Sequence, residues 1–275
     1  MKRATVYSIR AVAVFIVALA AASAAAQEVT FAYQFAPGSS ERYRIKLNQD
    51  VAMGAFEMKN LADMEATVKC VSAAENSFVM NMTFDKADIA TSMMGNMSAN
   101  PMGEELVGKT IEFKVDANGT VSDVKPVGTF DAWGQVQQII MPMVDKWYPR
   151  LPGNAVPVGG EWKQEPEKDV DASGAETVST ATYKFKEMRK EKGRDLAVVD
   201  QNLSATIGGT AQTPMGSYTV AGSGNGKMEL LFDPAKKCIA KAKGKMDVSM
   251  DMTPQTPGDV VKAMFTNNIE RTLLE

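Results

Sequence analysis

The chain has no histidine in 275 residues. That removes the Ser-His-Asp and Cys-His nucleophile systems, the imidazole zinc sites, and the one side chain that ordinarily changes charge between pH 5 and 8. Cysteine is nearly absent too, with only Cys70 and Cys238. In an oxidising compartment an even pair is a disulfide candidate. Each cysteine also sits in an alternating apolar stretch, where a lone thiol packs as a small hydrophobe, and spacing does not choose between the two. Positive charge is not in excess: 30 Lys and Arg stand against 33 Asp and Glu. The sequence therefore lacks the basic footprint of a nucleic-acid binder and the polybasic cluster of a protein held on anionic lipid. After residue 26 no apolar run reaches the roughly 18 residues of a membrane-spanning helix.

What is present begins at the N-terminus. Lys2, Arg3 and Arg10 precede an apolar run from Ala11 to Ala22, and Ala24-Ala25-Ala26 offers a small-x-small cleavage site before Gln27. This is the layout of a secretory signal peptide over residues 1–26. Without it the chain carries 27 basic and 33 acidic residues, a formal charge of −6. The expectation is a soluble periplasmic or secreted product, cleaved near Ala26, with no membrane span in the mature chain.

Period-two alternation dominates from Val29 onward. Tyr43, Ile45 and Leu47 alternate with Arg44, Lys46 and Asn48; Met64, Ala66, Val68 and Cys70 with Glu65, Thr67 and Lys69; Phe78, Met80, Met82 and Phe84 with Asn81, Thr83 and Asp85. Such strands bury one face and wet the other, which favours antiparallel sheets. A hairpin is expected at Asp116-Ala117-Asn118-Gly119. Further strands are expected over 177–189, 195–207, 217–232 and 238–252, with loops at Met93–Gly103, Glu165–Ser173 and Gly208–Gly216. Residues 258–275 fit either a helix or a strand. Phe130, Trp133, Val136, Ile140, Val144 and Trp147 recur at three- and four-residue spacing. They predict one long amphipathic helix over about 129–148, interrupted near Pro142 and packed on a concave sheet face.

The fold expected is mainly β (α+β), with long antiparallel strands in one curved sheet or two. It divides into weakly related halves, residues 27–150 with the helix and residues 151–275. Thr110–Pro126 and Lys227–Lys243 share the pattern strand, Asp-led turn, strand, which is the basis for relating the halves.

Nineteen methionines make the chain methionine-rich. Flexible thioethers suit adaptable apolar surfaces, and Met64, Met80, Met82, Phe84, Phe113, Trp133 and Trp147 are the candidate lining of an apolar ligand site. Met93, Met94, Met97 and Met102 are weak candidates for Cu(I), a soft ion, though a packing or lid role for that loop explains them as well. Asp63, Glu65, Glu104 and Glu105 are carboxylates of the kind glycoside chemistry uses, and they also fit a solvated face. Asp116-x-Asn118-Gly119 lacks the downstream acidic ligand of a calcium loop. Gly222–Lys227 lacks the Gly spacing and the Ser/Thr of a phosphate loop. No catalytic residue, cofactor or resident metal is assigned.

The set Tyr43-Arg44-Ile45, Phe113–Asp116 with Gly119, Leu151-Pro152 with Val156–Trp162, and Phe232-Asp233 resembles a family of exported bacterial β-rich proteins of unknown function, built on a duplicated hairpin. The resemblance spans most of the mature chain and implies an extracytoplasmic protein with no catalytic residues to carry over. A curved sheet with a helix is also similar, as a fold, to periplasmic carriers of lipids and lipoproteins. The function expected is an exported, non-catalytic binding protein for an apolar small molecule or envelope component. The alternatives are a structural or protein-interaction module of the envelope and, third, a histidine-free enzyme.

Overall fold

A computed structural model describes residues 27–93, 95–130, 143–144, 147–170, 173–213, 216–255 and 258–274; the leader expected at 1–26 lies outside the described residues. In chain order these form β1 (Glu28–Thr30), β2 (Ser40–Met53), β3 (Phe56–Ala74), β4 (Ser77–Met93), β5 (Asn96–Ala99), α1 (Met102–Leu106), β6 (Thr110–Asp116), β7 (Val121–Val127), β8 (Ala155–Pro157), β9 (Glu161–Lys163), β10 (Glu167–Val170), β11 (Ala175–Glu191), β12 (Arg194–Thr213), β13 (Gly216–Asp233), β14 (Cys238–Pro254) and β15 (Val261–Leu274). The long strands are the alternating stretches, because alternation puts every apolar side chain on one face.

One antiparallel sheet holds almost all of them, in the order β10-β11-β12-β13-β14-β15-β2-β3-β4-β6-β7, with β5 added to β4 and β9 to β11; β1 and β8 pair separately. Its central seam joins the chain's distant parts. Ala263–Leu274 of β15 runs against Met53–Arg42 of β2.

The sheet has two unlike faces. One carries Tyr43, Ile45, Met64, Ala66, Phe185 and Leu230, all buried. The other is laced with cross-strand ion pairs, among them Arg42–Glu65 at 2.6 Å, Arg44–Asp63 at 2.6 Å and Lys186–Asp200 at 3.2 Å. The buried face must be concave. Phe31 packs 5.2 Å from Phe185 of β11, and Phe35 packs 5.3 Å from Phe78 of β4. β11 and β4 are seven strand steps apart in the sheet order, about 34 Å if the sheet were flat. Phe31 and Phe35 are separated by four residues, a reach of at most about 14 Å. Only a sheet curled around the Phe31–Phe35 segment satisfies both contacts. At the β13–β14 seam the curl leaves no room for a side chain: a Cβ on Gly244 would lie 2.4 Å from the Lys227 carbonyl oxygen.

A second segment, residues 147–151, completes the cover. The Tyr33 hydroxyl donates to the Pro149 carbonyl at 3.0 Å, Leu151 N–H to the Asn118 carbonyl at 2.8 Å, and Trp162 Nε1 to the Arg150 carbonyl at 3.0 Å. Asn118 is held in place by its turn, where Asp116 Oδ1 accepts from the N–H groups of Asn118 (2.9 Å) and Thr120 (2.7 Å). Gly119 closes that turn at φ +92°, and a Cβ there would lie 2.7 Å from the Pro149 carbonyl oxygen. Phe31, Phe84, Phe113, Phe185 and Phe232 are fully enclosed by these contacts, each stabilising the fold by about 1.5–3 kcal/mol.

The long helix is corrected. Thr129 and Phe130 are irregular, Trp147 and Tyr148 form a bend, and of the described residues in this stretch Met143 and Val144 carry helical backbone; residues 131–142 and 145–146, Trp133 among them, lie outside the described residues. The element that is a helix is α1, five residues long. At Phe130 and at 144–151 the three- and four-residue spacing of apolar side chains records burial: Phe130, Val144, Trp147, Tyr148 and Leu151 are all enclosed, while Pro149 and Pro152 keep the chain from continuing a helix. Several expected loops are also structured. Met93–Gly103 holds the β4–β5 hairpin and the start of α1, β10 lies within 165–173, and β12 runs through Gly208 and Gly209 to Thr213. Residues 261–274 form a strand.

Candidate functional site

The long strands outrun their cover, so the concave face changes along their length. Strand registers define rows across it. Nearest the core, Ile45, Met64, Arg271, Ala242, Leu230 and Val199 align and are buried. One row further along lie Leu47, Ala62, Ile89, Ile269 and Gly244, and these are only half-buried. Here a cavity of about 1100 Å³ opens. Its wall includes Leu47, Ala62, Ala87, Ile89 and Ile269, with Asn100, Pro101 and Glu104 closing one side. That volume is at the upper end of the range typical of small-molecule sites. α1 is seated beside it because Gly103 fits against the β4 backbone, where a Cβ would lie 2.4 Å from the Ala87 carbonyl oxygen.

The next row is polar. Asn100 Nδ2 donates to Thr91 Oγ1 (3.5 Å), Thr91 Oγ1 to Asn60 Oδ1 (3.1 Å), Asn60 Nδ2 to Gln49 Oε1 (2.9 Å) and Gln49 Nε2 to Asn267 Oδ1 (2.9 Å). This crossbar spans β4, β3, β2 and β15 on the concave face. Beyond it the face is apolar again, with Val51, Met58, Phe265 and Val248 in register. At the rim, Met53, Phe56, Tyr218, Met252 and Val261 line a second cavity of about 550 Å³.

The residues proposed from sequence fall elsewhere. Met64, Met80, Met82, Phe84, Phe113 and Trp147 are at most 5% exposed and belong to the core under the two covering segments. Met93 and Met97 are exposed at the β4–β5 tip, Met102 packs against the core from α1, and Met94 lies outside the described residues. The Cys70–Cys238 bridge is not formed: both thiols are free and buried. Burial pushes each thiol up, Cys238 strongly, so both are inert thiols packed as hydrophobes. Asp116, Asn118 and Gly119 are a turn, and Gly222–Lys227 lies inside β13.

Several titratable groups are committed to structure. Asp63 is hydrogen-bonded by Arg44, which holds its carboxyl below the usual range; Glu65 is paired with Arg42 on the same convex face. Tyr183, sealed beneath Trp162 with ring centroids 5.1 Å apart, is pushed up to about 12 by burial. Tyr33, Tyr43 and Tyr148 are raised further by the same cause. Arg271, 5% exposed, donates to the Trp147 carbonyl and lies over the Trp147 and Tyr43 rings at 4.6 and 5.4 Å. Among the described residues no three His, Cys, Asp or Glu converge as a metal-holding group. What the concave face offers chemically is apolar surface interrupted by one row of amides.

No family model matches the chain, and no curated protein matches it. A structure of lipovitellin, solved for the lipid–protein interactions in that protein, is similar over 88% of this chain and 26% of that one, with a TM-score of 0.53 and 10% sequence identity. The chain thus spans about a quarter of the lipovitellin chain, and at this identity what the two share is a fold, an extensive antiparallel sheet.

Proposed function

We propose that this is a non-catalytic binding protein that holds an apolar ligand against the concave face of its sheet. The observation that carries the reading is the cavity of about 1100 Å³ walled by Leu47, Ala62, Ile89 and Ile269, which sits where the buried apolar rows continue past their cover. The similarity in fold to lipovitellin supports the same class of ligand. The leader read at 1–26 supports export, and with it a site in the periplasm or outside the cell. The resemblance to exported β-rich proteins supports a duplicated origin for the halves 27–150 and 151–275: in both Asp-led turns the aspartate Oδ1 accepts from the N–H two residues on, Asn118 at 2.9 Å and Ala235 at 3.0 Å, with the second bond at Thr120 in one turn and Lys236 in the other.

The test is fluorescence of N-phenylnaphthylamine, a neutral apolar probe. The mature protein is expected to enhance its emission saturably. Leu47→Glu and Ile269→Glu, which set a charge in the apolar wall, are expected to weaken binding by at least about tenfold while far-UV circular dichroism is retained. A mature protein that leaves the probe dark, and that emerges from its own host as a clean ligand-free mass in native mass spectrometry, overturns the reading.

A further inference from the structure

The concave face is apolar on both sides of the Asn100–Thr91–Asn60–Gln49–Asn267 crossbar, and a row of amides in such a place needs a reason. Every bond in the row runs the same way, from Asn100 toward Asn267. The acceptors Thr91 Oγ1, Asn60 Oδ1, Gln49 Oε1 and Asn267 Oδ1 are each engaged by that run. An amide nitrogen has two N–H groups. Asn60 and Gln49 each spend one within the row, and Asn267 spends neither on any described residue. Each amide oxygen of the row keeps a second lone pair, so Asn60 and Gln49 each present one spare N–H and one spare lone pair, and the excess of donors lies at Asn267, where the run ends in two spare N–H groups against one lone pair on a half-buried side chain. Once a ligand displaces water from the groove, donors left without acceptors are costly, so a ligand lying over Asn267 is selected for an acceptor at that level.

The acceptor is neutral. Apolar rows flank the crossbar, Leu47 and Ile269 on one side, Val51 and Phe265 on the other, and Arg271, the concave-face cation nearby, is turned into the core against Trp147 and Tyr43. Lys46, Lys243 and Lys245 also border the cavity but stand at alternate positions of β2 and β14, on the face opposite Leu47 and Gly244, so an anion between the apolar rows would be desolvated without a counter-charge on its own face. Resting on the reading of the cavity as an apolar-ligand site, we infer that the crossbar recognises the carbonyl of an acyl ester or acyl amide, so that the ligand is an acylated lipid. Its carbonyl lies on Gln49, Asn60 and Asn267, and its apolar parts extend into the 1100 Å³ cavity on one side and toward the rim on the other.

Oleoylglycerol and the matching oleyl glyceryl ether differ by that carbonyl alone. Each is used to displace N-phenylnaphthylamine from the mature protein. The ester is expected to bind at least about fivefold tighter than the ether, as one hydrogen bond is worth. Asn60→Leu and Asn267→Ala are expected to abolish that preference, so that within each variant ester and ether bind alike. If Asn60→Leu loses its circular dichroism, Asn267→Ala carries the test alone, because its side chain only ends the row. Equal affinity of the parent for ester and ether overturns the inference and leaves the apolar-cavity reading standing. A parent that binds neither lipid nor the probe overturns both.

Discussion

Two ends of the same strands behave differently. In β2, Tyr43 and Ile45 are enclosed, whereas Leu47, Gln49 and Met53, on the same face, are only half-buried. Apart from Gln49 the apolar alternation continues from one end to the other, and beyond Gln49 only Val51 is enclosed. What differs is the cover: Phe31–Phe35 and residues 147–151 lie over the first end. A sheet face is thus made a core or a cavity by what is laid on it, and strand pattern alone does not say which.

The sharpest way to break the covered end is alkali. Tyr33, Tyr43, Tyr148 and Tyr183 all lie there, and all have raised folded-state pKa values, that of Tyr183 about 12. In the unfolded chain tyrosine ionises near 10. Their contribution is full below pH of about 10 and is lost as pH climbs through 12, because there the unfolded state releases protons that the folded state retains. Phenolate absorbance is expected to rise together with loss of near-UV circular dichroism, in one cooperative step; ionisation of these tyrosines with tertiary signal intact would show the cover to be porous.

Next in size is a pair of truncations. Phe31→Ala removes a ring packed on Trp162, Phe185 and Phe232 and is expected to cost about 3–5 kcal/mol in urea denaturation. Phe56→Ala, at the half-buried rim, is expected to cost under about 1.5 kcal/mol. Similar losses would erase the distinction between the ends.

The smallest contrast concerns two turn glycines. Gly119 and Gly54 both have positive φ, but only Gly119 has neighbours where a Cβ would go. Gly54→Ala is expected to cost about 1 kcal/mol from backbone strain alone. Gly119→Ala adds displacement of the 147–151 segment and is expected to cost about 2–3 kcal/mol. Equal midpoints for the two would mean that the turn does not clamp that segment.

Much of the strand layout was legible because alternation is a local signal. Expected strands at 177–189, 195–207, 217–232 and 238–252 appear as β11 to β14, three of them slightly longer and β12 extended through Gly208 and Gly209 to Thr213. The misreadings share a cause. Gly208 and Gly209 read as a loop, yet in a curled sheet glycine also marks a strand that bends. The spacing around Trp147 read as a helix, because apolar recurrence reports burial whatever the backbone does there. Met64, Met82 and Phe113 lie in the core and not along the cavity wall, because the segments that cover them come from residues far away in sequence. The crossbar was invisible for the same reason. Gln49 and Asn267 are 218 residues apart, and no local pattern announces that β15 lies beside β2.

That central seam has a kinetic consequence. Until a ribosome has passed residue 274, β2 has a neighbour on one side only, and the ribbons on either side of the seam keep raw inner edges open to mispairing. Contacts so remote along the chain are slow to find. The zipping of its middle is therefore expected to come late in assembly, and a chain kept from premature collapse until then is expected to reach the native topology in higher yield.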